Sequence, residues 1–186
     1  MSVLIDLQAM PNRIRALAGV VSTKRGMERN ELARRFVPGA EKLDQFNGCL
    51  REAFRLGVLV DNKETKKIAL SPALSKKQVA SRNEFIAFCR AQLIPKNGKD
   101  CEGNEAFPRA LAWLLTRSIG PKLRSGAEYR SEVLNDLTGD EIYELTNSSR
   151  SSMLVYWAQA LGFVEWLKLG GDDYCNPDPT RVLSAV

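Results

Sequence analysis

Apolar residues first recur at helical spacing where Ile14, Leu17, Ala18 and Val21 follow Pro11, a residue suited to the first turn of a helix. Gly26 predicts the turn that closes this helix. The segment ERNELARRF predicts a second, shorter helix with Leu32, Ala33 and Phe36 on one side, and the proline and glycine of VPGAEKLD break it. A third helix is expected from Asp44, a favoured N-cap residue, to about Leu56. Its buried stripe is Phe46, Cys49, Leu50, Ala53 and Phe54, which leaves Gln45, Gly48, Arg51, Glu52 and Arg55 outward. Gly57 ends it, and VLVD and KIALS then predict two short strands joined by NKETK.

Pro72 stops the second strand, and one longer helix is expected from Gln78 to Leu93, with Val79, Phe85, Ile86, Cys89 and Leu93 as its apolar positions. PKNGKDCEGNE, rich in proline, glycine and charge, marks a linker over 95–105. Beyond it the pattern returns. PRALAWLL echoes the first helix, YRSEVLNDL supplies a second, and NSSRSSMLVYWAQALGFVEW repeats the Leu-Gly-apolar junction of RLGVLVD. Gly170 to Asp173 would be the tip of a second hairpin, and Tyr174 and Cys175 would lie on its return strand. The chain thus divides into a first unit over 1–75, a connector helix and linker over 76–104, and a second unit over 105–186. Its ending at VLSAV, with an apolar helix just begun, predicts that the full protein continues.

Charge separates the two parts. Residues 1–100 carry 19 Lys and Arg against 10 Asp and Glu, while residues 101–186 carry 8 against 12, so contact with a polyanion falls to the first part. The 44% hydrophobic content is that of a folded protein. No apolar run approaches the roughly 20 residues that span a bilayer, and the opening lacks a signal peptide's basic start and small-residue cleavage site. A cytoplasmic protein without membrane contact is expected. Histidine is absent and Cys49, Cys89, Cys101 and Cys175 are widely spaced, which argues against a zinc site and reads Cys49 and Cys89 as core residues.

A helix read against a nucleic-acid groove needs polar side chains, and a hairpin beside the backbone needs cations. The candidates are Gln45, Asn47 and Arg51 on the third helix, Lys63, Lys66 and Lys67 at the hairpin, and Lys24, Arg25 and Lys42 in the preceding turns. Arg150 adds a cation near the start of a later helix, where open backbone N–H groups favour anions. The plainer reading of the lysines is a solvated turn. In the second unit MLVYWAQAL is apolar on nearly every side, so Tyr156 and Trp157 belong either to a core or to a protein interface. Asp61, Glu64 and Lys66 could suggest a metal-dependent nuclease, but a few residues in one turn read as solvent-exposed. Asp136, Asp140, Glu141 and Glu144 read as a solvated acidic run without a partner base, and no phosphate-binding glycine loop is present. An enzyme is not expected, and neither a cofactor nor a metal is called for.

The order three helices then hairpin over 11–72, carried by NELARRF, FNGCLREAFRLGVLV and KETKKIALSP, resembles the winged helix-turn-helix superfamily. The resemblance implies a mainly α fold with short β-hairpins, two winged-helix-like units joined by a helical connector. The C-terminal CNPDPTRVL is similar to endings in a protein of bacterial systems that place deazaguanine bases in DNA as phage defence. That likeness implies a non-catalytic subunit that places other components on DNA. The expected function is duplex DNA binding through the basic first unit, with a protein partner at the second. The alternative is a protein-protein interaction subunit whose units never touch nucleic acid. Within PDPT, Asp178 or Thr180 is expected to cap a following helix.

Overall fold

The computed structural model describes residues 9–24, 26–37, 43–62, 65–94, 106–116, 148–169 and 172–183. They form a mainly helical chain with two antiparallel two-stranded hairpins. One compact unit spans Gln8–Gln92, and the described residues from Leu93 onward belong to a second.

The first unit opens with α1 (Pro11–Ser22), α2 (Arg29–Phe36) and α3 (Leu43–Arg55), followed by strands β1 (Leu59–Asn62) and β2 (Lys67–Leu70). In α1 the predicted stripe of Ile14, Leu17, Ala18 and Val21 is fully buried. Only Leu32 of α2 is buried, while Ala33 and Phe36 are half-exposed; Phe36 leans on Phe46 of α3, ring centroids 6.2 Å apart. Asp44 lies in the first turn of α3 and not before it.

Phe46, Cys49, Leu50 and Ala53 bury as predicted, whereas Phe54 is half-exposed. Gly48 and Glu52, expected to face solvent, are buried. Glu52 is only 1% exposed, and its carboxylate pairs with Arg55 Nη1 one turn on at 2.6 Å. A buried carboxylate needs such a partner, because desolvation without one is far more costly.

Gly57, at φ +61°, ends α3 in the left-handed conformation that a side chain disfavours. Its N–H donates to Phe54 O at 3.0 Å and that of Val58 to Ala53 O at 2.9 Å, the paired bonds of a Schellman motif. Leu59 pairs with Leu70 and Asn62 with Lys67, and Ser71 N closes the hairpin base on Val58 O. Met27, between α1 and α2, adds a one-residue bridge: it exchanges both backbone bonds with Ile68 at 2.9 Å.

The helix expected over 78–93 is two helices, α4 (Lys76–Ala80) and α5 (Arg82–Leu93). Ser81 separates them in an extended conformation, and its hydroxyl accepts from Glu84 N at 3.3 Å, capping the second. At the start of α4, Ser75 Oγ accepts from Gln78 N at 3.2 Å and Gln78 Oε1 from Ser75 N at 2.9 Å, a reciprocal capping box. Arg15 Nη1 of α1 donates to Ala80 O at 3.1 Å, the far end of the same helix. Ser75→Ala is expected to lower the stability of the first unit by about 1 kcal/mol, read as a shifted urea midpoint with unchanged slope.

The second unit contains α6 (Ala106–Leu115), α7 (Ser148–Ala160), strands β3 (Val164–Leu169) and β4 (Asp172–Pro177), and α8 (Thr180–Leu183). Phe107, Ala110, Leu111 and Leu114 of α6 and Met153, Leu154, Trp157 and Ala158 of α7 are buried. Asp172 and Asp173, expected at the hairpin tip, stand in β4 opposite Leu169 and Lys168. The helix expected in YRSEVLNDL lies outside the described residues.

The junction that echoed the first unit repeats its hydrogen bonds. Gly162, at φ +86°, closes α7, with Gly162 N donating to Gln159 O at 3.0 Å and Phe163 N to Ala158 O at 2.9 Å. Asp178 N then bonds Phe163 O at 2.9 Å, as Ser71 N bonds Val58 O in the first unit. Both units therefore use one device to turn a helix into a hairpin. Of the two capping candidates, Asp178 serves: its carboxylate accepts from Thr180 at 2.9 Å, and these bonds hold it below the usual carboxylate range.

Candidate nucleic-acid interface

The site is built where the hairpin of the first unit meets the turn before α2. Gly26, at φ +139°, lies so close to β2 that a Cβ there would stand 3.2 Å from Lys67 Cβ. The next residue is Met27, whose bridge to Ile68 fixes the turn against the strand. Lys24 on one side and Lys67 on the other, both exposed, are thus carried on adjoining segments.

The same turn leads directly into α2, whose first residue, Arg29, donates from Nη2 to Asn47 Oδ1 of α3 at 2.8 Å. Arg51, one helical turn beyond Asn47, is exposed. The approach of Gly26 to Lys67, the Met27–Ile68 bridge and the Arg29–Asn47 bond trace a path of contacts from hairpin to third helix, in which Met27 itself is buried. Gln45 is half-buried near the start of α3.

Lys24 and Asn47 are engaged within the protein. Lys24 Nζ sits 2.6 Å from Glu31 Oε1, which Arg35 also approaches at 3.1 Å. The Lys24 hydrogen bond is the main cause holding the Glu31 carboxyl below its usual range, so it is ionised at neutral pH and offsets the cations beside it. Asn47 gives its amide oxygen to Arg29.

Lys66 is exposed at the hairpin turn and is the one described non-glycine residue at positive φ, +54°. A lysine in this conformation is uncommon, because asparagine and glycine tolerate it better. Next to it Asn62 Oδ1 accepts from Thr65 N at 3.0 Å and braces the turn. Arg25, Lys42 and Lys63 lie outside the described residues, as does the side chain of Arg150, whose backbone belongs to α7.

Sequence reasoning missed Met27 and Arg29. A bridge one residue long has no periodicity to betray it, and Arg29 was one of several charges on a helix judged by its apolar side. Only its position at the helix start, facing a polar position of the third helix, could have singled it out.

Of the residues weighed for other chemistry, Asp61 is exposed, and Glu64 and the acidic run 136–144 lie outside the described residues. Among the described residues no three His, Cys, Asp or Glu converge as metal ligands. Burial pushes the thiols of Cys89 and Cys175 up to about 12, which makes them unreactive core groups. In α7 the pair left open divides: Trp157 is fully buried and Tyr156 is 46% exposed. No described helix is long and apolar enough to cross a membrane.

Compared with known proteins, the whole chain, residues 1–186, matches the family model described as DpdG-like. No curated protein and no solved structure matches it.

Proposed function

The chain belongs to the DpdG-like family, a component of DNA deazaguanine-modification and phage-defence systems, and from that premise we propose that it is a non-catalytic subunit gripping duplex DNA through its first unit. The first unit is read as a winged helix-turn-helix, with α3 entering the major groove and the β1–β2 hairpin lying along the neighbouring phosphates. The observation that carries this reading is the Met27–Ile68 bridge, which joins the turn before α2 to the hairpin. On this reading Lys67 of the hairpin, Arg29 at the start of α2 and Arg51 of α3 serve one stretch of DNA backbone.

Phosphate contacts release counterions, so affinity for random duplex should fall steeply with salt, by about 0.9 in log-log slope per contact. Lys63, Lys66 and Lys67 changed together to Ala should weaken binding and lower that slope by about 2 to 3, read by fluorescence anisotropy across a salt series. A triple variant with the parent's affinity and slope would remove the hairpin from the interface and leave the protein-docking alternative in its place.

A protein contact at the second unit is favoured by Tyr156, exposed on a helix whose neighbouring positions Val155 and Trp157 are buried. Tyrosine is enriched at interface cores, since it buries a large ring and keeps a polar tip.

A further inference from the structure

Two cations beside the hairpin converge on one atom. Glu31 Oε1, in the first turn of α2, lies 2.6 Å from Lys24 Nζ and 3.1 Å from Arg35 Nη2. The cations come from different elements: Lys24 follows the end of α1, where its backbone N–H donates to Val21 O at 3.2 Å, and Arg35 belongs to the last turn of α2. Side chains that share one carboxylate oxygen can share one phosphate oxygen, since both anions accept the same short, charge-assisted bonds. Lys24 is 46% exposed, Glu31 35% and Arg35 49%, so a larger anion can approach from solvent.

A glutamate in the first turn of a helix, paired with an arginine four residues on, already suits the helix dipole and local pairing. That accounts for Glu31 and Arg35, but not for Lys24, which reaches the same oxygen from outside the helix. Ion pairs this exposed are weakly held, so an anion that both cations grip together displaces the carboxylate with little loss. Lys24 also stands two residues before Gly26, where the chain closes on Lys67 of the hairpin.

We propose that Lys24 and Arg35 form a phosphate subsite of the duplex-binding surface, held in the free protein by the Glu31 carboxylate, which a DNA backbone phosphate displaces. The inference rests on the DNA reading and adds to it an anion of the protein's own that competes with the ligand. Glu31 remains charged beside the bound phosphate and holds the affinity down.

Glu31→Gln tests this, because it keeps the side chain's shape and leaves every cation in place. Binding of the full chain to random duplex, read by fluorescence anisotropy, should tighten about tenfold near 50 mM salt, and the log-log salt slope should steepen by about 0.9, the effect of one further net positive charge on the site. Acetylation of lysines with and without duplex, read by mass spectrometry, should show Lys24 protected in the complex. Binding that is unchanged or weaker in Glu31→Gln overturns the inference and leaves the carboxylate as a brace of the turn. Tighter binding with Lys24 as reactive in the complex as in the free protein also overturns it, since the charge would then act at a distance. Either failure, with the parent still bound, strikes this inference alone; a parent that retains no duplex at low salt overturns the DNA reading itself.

Discussion

Replacing Trp157 by alanine will cost the second unit about 3 to 5 kcal/mol, the usual loss for a large aromatic side chain cut from a core. Trp157 is fully buried in α7 among Met153, Leu154, Ala158 and Leu161, which are themselves buried. Its indole Nε1 is also buried without a hydrogen-bond partner among the described residues, so part of what the ring gains by burial is already offset. Trp157→Phe removes that donor and keeps most of the ring, and its cost should be less than half that of alanine. The three tryptophans, Trp113, Trp157 and Trp166, all belong to the second unit, so the fluorescence of the remaining two follows its unfolding alone. A urea midpoint unmoved in Trp157→Ala would show that the side chain is not a core residue.

The elements most legible in the sequence were those set by local rules. The stripe of Ile14, Leu17, Ala18 and Val21 follows from helical period alone, and Gly57 and Gly162 mark helix ends because the backbone there needs φ > 0. That local rule is why the Leu-Gly echo between the two halves corresponds to matching hydrogen bonds. What misled was pairing. Glu52 counts as outward by residue type, yet Arg55 carries it inside; the helix over 78–93 looked continuous, yet the Ser81 hydroxyl starts a second helix within it.

The site was legible in a similar, partial way. Exposed lysines on a hairpin can be named from composition, and Lys66 and Lys67 stand where the strand pattern put them. Which charges remain available cannot be named so. The Glu31 carboxylate takes up Lys24 from seven positions along the chain, and Arg29 takes the oxygen of Asn47 from eighteen positions away. Such long-range pairs decide what a surface offers, and residue type does not encode them.

Gly26→Ala should then have the second large effect, because one atom tests the link between fold and interface. Its φ of +139° is a conformation that L side chains rarely adopt, and the new Cβ would meet Lys67 Cβ at 3.2 Å. The strain, of order 1 to 3 kcal/mol, is relieved by drawing the turn away from β2, and the two 2.9 Å bonds between Met27 and Ile68 go with it. Amide exchange at Met27 and Ile68 should accelerate, while the tryptophan signal of the second unit stays unchanged. If the path from Lys67 to Arg29 is the DNA surface, Gly26→Ala will also weaken duplex binding at temperatures where the chain stays folded. Its salt slope should fall by about 1 to 2, as cations on the turn and on the hairpin stop reaching one backbone together. Exchange that accelerates with affinity and slope unchanged would confine the bridge to a structural role and remove the path from Lys67 to Arg29 from the DNA surface.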